Sequence, residues 1–284
     1  MINKLCIIGV GLIGGSVARA LRSHDACREI VGCSRHVKHL EHAVKLGVID
    51  RFDTRITVAI EGADVILIAV PVGAFEAVLR EIAATVGPAA IITDVGSTKG
   101  SVVKVARTTL GSHLPMFVPA HPIAGGEQSG VAAADAKLFE DARVVLTPLA
   151  ETRPEATLKI RGMWEQVGAQ VTSMSAAEHD RILAATSHLP HMLAYSLVDM
   201  LATMNGGSNI FDYTAGGFRD FTRIASSDPR MWHDICLANR EALLEMLEKY
   251  GKTLQELQQA IEHGDSARIM SIFAHAKRAR DELD

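Results

Sequence analysis

The sequence predicts a doubly wound, mostly parallel α/β sheet followed by an all-helical region. Three observations carry that expectation. Short apolar runs alternate with segments of helical spacing over residues 1–175. The runs are apolar on both faces, as strands covered by helices on both sides must be. From Ala176 onward no strand-like run recurs.

In chain order the strand-like runs are KLCIIGV (4–10), EIVGCS (29–34), ADVILIAV (63–70), AAIITDV (89–95), MFVPA (116–120), ARVVLTP (142–148) and AQVTSMS (169–175). Between most of them lie GGSVARALRSH, HVKHLEHAVKLG, GAFEAVLREIAATV, KGSVVKVARTTLG and PEATLKIRGMWEQVG, each spaced as an amphipathic helix. After Ala176, SAAEHDRILAATSHLPHMLAYSLVDMLATM predicts one long helix or a helix broken near Pro190. Further helices follow from Asp228-Pro229, with stops expected at Gly251 and Gly264. Two domains are expected, 1–175 and 176–284, joined without a flexible linker, which favours a ligand cleft between them.

Bulk composition narrows the function classes. With 48% hydrophobic residues the chain can bury a sizeable core. A net charge of -4 without a basic stripe argues against nucleic acid, and no Lys/Arg-rich amphipathic segment points to a membrane surface. Cys6, Cys27, Cys33 and Cys236 form no C-x-x-C pair and suggest free thiols. The apolar N-terminus lacks a small-residue cleavage site, and no window of about 18 apolar residues reads as a membrane span. A cytoplasmic protein is expected.

GVGLIGGS places Gly9, Gly11 and Gly14 in G-x-G-x-x-G register directly after a strand and at a helix start. The triplet alone also fits a glycine-rich turn without a ligand; the strand–loop–helix context favours a dinucleotide. Gly9 permits the turn, Gly11 the approach of a pyrophosphate, and Gly14 the close packing of helix on sheet. The free N–H groups and positive dipole end of the helix then face the phosphates. At the end of the second strand an NAD site expects a carboxylate for the ribose 2′-OH. Here stand Ser34 and Arg35, which favour NADP over NAD, although Arg35 alone also fits a solvated surface charge.

Polar groups collect at four further places: DVGSTKG with Ser97, the loop opening at His121, SHLPH with His188 and His191, and GGFRDFTRIASSDPRMW. Ser97 and His121 both follow strands, on the side of such sheets where ligands lie. Each has a plain alternative. Ser97 fits a helix cap. His188 and His191 share a helix face as metal ligands would, yet no Cys, Asp or Glu pattern completes a site, and no metal is expected. Arg219 and Arg223, four apart, fit a solvated face, and Trp232 alone fits a core.

Together GVGLIGGS, AVPV, DVGSTKG, HPIAGGEQSG, SHLPH and GGFRDFTRIASSDPRMW, in this order, resemble the prephenate/arogenate (cyclohexadienyl) dehydrogenase family of tyrosine biosynthesis. The resemblance implies a Rossmann-like nucleotide-binding domain, a C-terminal helical dimerisation domain and a homodimer. It implies an NAD(P)-dependent oxidative decarboxylation of prephenate, of arogenate, or of both. The chain is expected to hold this core without a chorismate mutase or ACT domain.

By resemblance, His121 accepts the ring hydroxyl proton and Ser97 holds the same hydroxyl. Arg223 clamps a substrate carboxylate, His191 contacts substrate with His188 beside it, and Ser227 and Trp232 line the side-chain end. Arg219 and Asp220 support them, and Lys99 adds positive potential near the cleft. Cofactor contacts extend to Leu12 and Ile13 after Gly11, and to Val70 and Pro71 of AVPV. Glu127 is where prephenate and arogenate would be told apart, and prephenate is the favoured substrate.

Two other readings stay open. One is a β-hydroxyacid dehydrogenase or imine reductase, which would put a lysine where SHLPH stands. The other is a non-catalytic dimer that senses NADP(H).

Overall fold

The computed structural model describes residues 1–126, 128–204 and 210–283. Six strands form a parallel sheet: β1 (Ile2–Ile8), β2 (Cys27–Cys33), β3 (Arg51–Asp53), β4 (Val65–Ile68), β5 (Ile91–Asp94) and β6 (Phe117–Val118). Their order is β3-β2-β1-β4-β5-β6. The order reverses between β1 and β4, so a crevice opens at their carboxyl ends. Helices α1 (Leu12–Ser23), α2 (Val37–Lys45), α3 (Ile56–Ala59), α4 (Phe75–Thr85) and α5 (Gly100–Thr109) connect them. Two apolar clusters hold the layers. One, with Leu5, Ile7 and Leu67, packs on α1 and on Trp164; the other, with Ile8, Ile66 and Ile68, packs on α4 through Phe75 and Leu79.

The doubly wound sheet is present, and a second, smaller sheet follows it. The chain leaves the first sheet at Val118 and within two residues enters a second one, β7 (Ala120–Pro122), β8 (Arg143–Leu146) and β9 (Gln170–Ser173), with α6 (Pro154–Gln166) between the last two. β7 runs antiparallel to β8, which pairs His121 with Val145. His121 therefore stands on a strand, not in a loop after one. Pro119 separates the two short strands and lacks an N–H to continue the first ladder. The three-residue β3 and four-residue α3 carried too little periodicity to be foreseen.

The two sheets are tied by a buried ion pair. Asp94, at the end of β5, pairs with Lys99, and both side chains are wholly buried. Asp94 Oδ1 also accepts from Ala120 N (3.0 Å), and Lys99 Nζ donates to Ala120 O (2.8 Å). Both backbone groups of the residue before His121 are thus held by the Asp94–Lys99 pair. Lys99 was expected to add positive potential near the cleft. Its charge is spent on Asp94 instead.

Helices α7 (Ala176–Leu183), α8 (Leu189–Thr203), α9 (Gly216–Thr222), α10 (Pro229–Ala238), α11 (Arg240–Glu262) and α12 (Ser266–Asp281) complete the fold. Ser175 Oγ caps α7 by accepting from Glu178 N (3.1 Å), and Asp228 caps α10 through Arg230 N and Met231 N (2.8 and 3.0 Å). Between α7 and α8 the chain stays helical but widens to a π-turn over Ala184–His188, where Leu189 N reaches back to Ala184 O. Pro190 supplies the reason: it has no N–H to give and its ring crowds the carbonyl four residues earlier. Gly251, expected to stop a helix, lies inside α11, where tertiary packing outweighs its roughly 1 kcal/mol propensity cost. Gly264, with φ +64°, does follow the end of α11.

Replacing Lys99 with Met strands a buried carboxylate and is expected to cost about 3–5 kcal/mol of stability. Denaturant unfolding checks this. A variant within about 0.5 kcal/mol of the parent would show that the pair does not join the sheets.

Candidate active site

The glycine loop behaves as its spacing requires. Gly9 has φ +99°, and a Cβ there would overlap the Ala69 carbonyl. A Cβ on Gly14 would overlap Gly9 O and approach Ile7, so only glycine lets α1 seat this close to β1. Gly11 has nothing within 4 Å of its Cβ position and faces open space. A cavity of about 780 Å³ begins there, lined by Gly9, Gly11, Ser34, Arg35, Val70 and Pro71. Leu12, Ile13 and Gly14 do not line it: Leu12 and Ile13 open α1 beside it, and Gly14 lies behind. Lys38, His36 and His39 of the α2 start were not foreseen and do line it. Volume, open glycine and helix N-terminus fit a dinucleotide.

His121, His188 and His191 do not line this cavity, but neighbouring segments approach the glycine loop and the loop after β4. Gly126, after β7, would place a Cβ 3.6 Å from Leu12 Cδ2. α10 touches the loop after β4, where a Cβ on Gly73 would come 2.7 Å from Asp234 Oδ2.

His121 is buried, and its Nδ1 lies 2.8 Å from His179 Nε2. His179 Nδ1 in turn lies 2.8 Å from Asp180 Oδ1. The protons follow from the last partner. A carboxylate only accepts, so His179 donates from Nδ1 and accepts at Nε2. His121 must then donate from Nδ1, which leaves the Nε2 lone pair of His121 as a base. Asp180 is itself fixed by the first turn of α5: Lys99 N donates to Oδ1 and Gly100 N to Oδ2, both at 2.7 Å. Burial pushes the Asp180 carboxyl up, but His179 and these two amides outweigh it and hold it below the usual range.

Burial, then the neighbouring His179, Lys99 and His188, hold His121 well below the ordinary histidine value, so it is neutral at pH 7. His188 is pushed down to about 4, mainly by burial. His191 donates from Nδ1 to Ser187 O (2.9 Å) and stacks on Trp232, with ring centroids 3.5 Å apart and planes at 21°. Arg223 bears electrostatically on His191. Ser97 is half-buried on the loop before α5 and does not cap that helix; Asp180 does so from outside. The Ser227 carbonyl accepts from Tyr195 Oη of α8 (2.6 Å). Glu127 lies outside the described residues. Among the described residues no group of three or more His, Cys, Asp or Glu could hold a metal ion.

Two family models cover most of the chain: "Prephenate dehydrogenase, nucleotide-binding domain" over residues 17–173 and "Prephenate dehydrogenase, dimerization domain" over 175–275. The chain belongs to the prephenate dehydrogenase family. A cyclohexadienyl dehydrogenase of Zymomonas mobilis is 40% identical over 98% of this chain and 95% of its own length. The prephenate dehydrogenase from Aquifex aeolicus, solved with hydroxyphenyl propionate and NAD+, superposes with a TM-score of 0.95 at 36% identity, covering 100% of this chain and 99% of that one. A Synechocystis arogenate dehydrogenase covers 99% of this chain and 100% of its own, with a TM-score of 0.84 at 28% identity.

Within this prephenate dehydrogenase fold, His179 and Asp180 are the residues beside His121 that the sequence did not disclose. Their one trace is an adjacent His-Asp pair on the first turns of α7, in a segment otherwise read only for periodicity.

Acid should expose the cost of burying neutral histidines. His121 and His188 take up protons more readily when unfolded, so their contribution is present above about pH 6.5. The His188 share is lost as pH falls through about 4. Denaturant midpoints should drop over that window, and less in His188→Gln. Equal drops in both proteins would count against a neutral buried His188.

Proposed function

We propose that the protein catalyses the NAD(P)-dependent oxidative decarboxylation of prephenate to 4-hydroxyphenylpyruvate in tyrosine biosynthesis, with arogenate as a second substrate giving tyrosine. The observation that carries the reading is the Nε2 lone pair of His121. It is held in one tautomer by His179 and Asp180 and kept neutral by burial. A base so fixed suits the removal of a hydroxyl proton near pH 7.

In this reading His121 Nε2 takes the proton of the ring hydroxyl while Ser97 holds its oxygen. A bound nicotinamide dinucleotide supplies the hydride acceptor for the carbon that bears the hydroxyl. Gly9, Gly11 and the start of α1 with Leu12 and Ile13 would hold its pyrophosphate, and Val70 and Pro71 its nicotinamide side. The carbonyl formed on the ring draws in the electrons of the departing carboxylate. CO2 leaves, the ring becomes aromatic, and His121 returns its proton to the phenolic oxygen. Arg223 clamps a substrate carboxylate by its planar fork. His191 on Trp232 lines the pocket beside it, with Ser227 at the side-chain end. Arg219 and Asp220 serve as supporting residues.

NADP is the favoured cofactor. Arg35 and Lys38 flank the cavity where an adenosine 2′-phosphate would lie, with His36 and His39 beside them, and Glu81 is the one acidic side chain among the lining residues described. The protein acts as a homodimer through its helical region. Leu237, Leu244, Leu254, Ile261, Met270 and Phe273 there are more than half exposed in the single chain, which suits an interface. Residues 1–175 serve as the nucleotide-binding unit and 176–284 as the substrate and dimer unit.

His121→Asn is expected to lower kcat about 10²–10⁴-fold while cofactor binding stays intact. Absorbance at 340 nm with prephenate, arogenate and simple hydroxyacids checks both the base and the substrate class. Turnover of hydroxyacids alone, or wild-type turnover by the variant, would overturn the reading. Arg35→Ala should raise KM for NADP about ten-fold or more and leave KM for NAD nearly unchanged, because a lost charge-assisted contact is worth about 1.5–3 kcal/mol. Equal changes for both cofactors would remove Arg35 from the 2′-phosphate site.

A further inference from the structure

The histidine relay does not account for a buried amide at the joint between α10 and α11. Asn239 is 5% exposed, and its side-chain nitrogen has two partners: Asp180 O at 2.8 Å and His188 Nδ1 at 3.0 Å. The carbonyl decides the orientation of the amide. Asp180 O can only accept, so the group facing it must be the NH2 and not the amide oxygen. The same NH2 therefore presents its second hydrogen to His188. An imidazole nitrogen that receives a hydrogen carries a lone pair, so the ring proton of neutral His188 sits on Nε2. Among the described residues no protein group accepts from that Nε2–H.

We propose that Asn239 is a positioning residue for the reaction, fixing His188 as the neutral tautomer whose Nε2–H enters the substrate pocket as a hydrogen-bond donor. The role is complementary to that of His121. One ring presents a lone pair and the other a hydrogen, so a hydroxylated carboxylic substrate finds an acceptor and a donor together. Asp180 sets both. Its carboxylate orients His179 and, through it, His121; its backbone carbonyl orients Asn239 and, through it, His188. The titratable groups that bear on His188 are Asp180 and His179 from α7, His191 from α8 and His121 from β7, while Trp232 from α10 meets its ring edge-on at 6.0 Å. An added proton on Nδ1 would point straight at the Asn239 NH2. The amide thereby keeps the ring from becoming a cation beside His121.

The kinetic part of the test rests on the dehydrogenase reading; the spectroscopic part does not. Long-range ¹H–¹⁵N correlation on the full-length protein, with the His188 signals assigned by their loss in His188→Gln, is expected to show Nε2 protonated and Nδ1 bare near pH 7. A protonated Nδ1 in the parent protein would overturn the proposal whatever the enzyme's substrate. Asn239→Asp offers His188 an acceptor in place of a donor and should place the proton on Nδ1. It should also move the acid limb of the kcat profile to higher pH and lower kcat about ten-fold or more, with KM for the cofactor unchanged. Asn239→Gln, if it reaches both partners, should restore the parent tautomer and the parent pH profile. An Asn239→Asp protein that keeps the parent tautomer and the parent pH profile would also overturn the proposal. Failure of every candidate substrate alongside a bare Nδ1 would leave the Asn239–His188 tautomer assignment standing and overturn the dehydrogenase reading instead.

Discussion

The Asp180 carboxylate joins what would otherwise be separate pieces. It accepts from the two amides that open α5, Lys99 N and Gly100 N, and from His179. Those amides have no partner within their own helix, and no side chain of the preceding loop caps them. A carboxylate at a helix N-terminus is favoured by the helix dipole as well as by the hydrogen bonds. The same contact docks the first helical element after the sheets against β5 and its loop. Fold and chemistry therefore share one anchor, and the histidines inherit their tautomers from it.

The electrostatic design follows from burial. His121, His188 and Lys99 lie close together in a region that water hardly reaches. Three cations there would be prohibitively costly. The structure avoids that cost by pairing Lys99 with Asp94 and leaving both histidines neutral. Neutral rings can still be strongly directional once their protons are assigned. Each ring is assigned by a fixed neighbour: His179 for His121, Asn239 for His188 and the Ser187 carbonyl for His191. The π-turn before Pro190 belongs to the same economy, since it lets one helix carry both His188 and His191 past a proline without ending.

What the sequence determined by itself was local. Alternating apolar runs fixed the sheet-then-helix order, because periodicity is a property of neighbours along the chain. Gly9 and Gly14 were legible because only a residue without a Cβ fits beside the Ala69 and Gly9 carbonyls. Asp228-Pro229 marked a helix start through side-chain and ring geometry within three residues. The tertiary structure alone decided how the site is wired. His121 meets His179 across 58 positions, Lys99 N meets Asp180 across 81, and Asn239 meets Asp180 across 59. Hydrogen bonds between such distant residues leave no spacing in the sequence, since the chain between them sets no fixed register. For the same reason Lys99 looked like a source of positive potential in the cleft and His121 like a loop residue. Only the turn from β6 into β7 reveals that one is buried against Asp94 and the other is aimed by a strand.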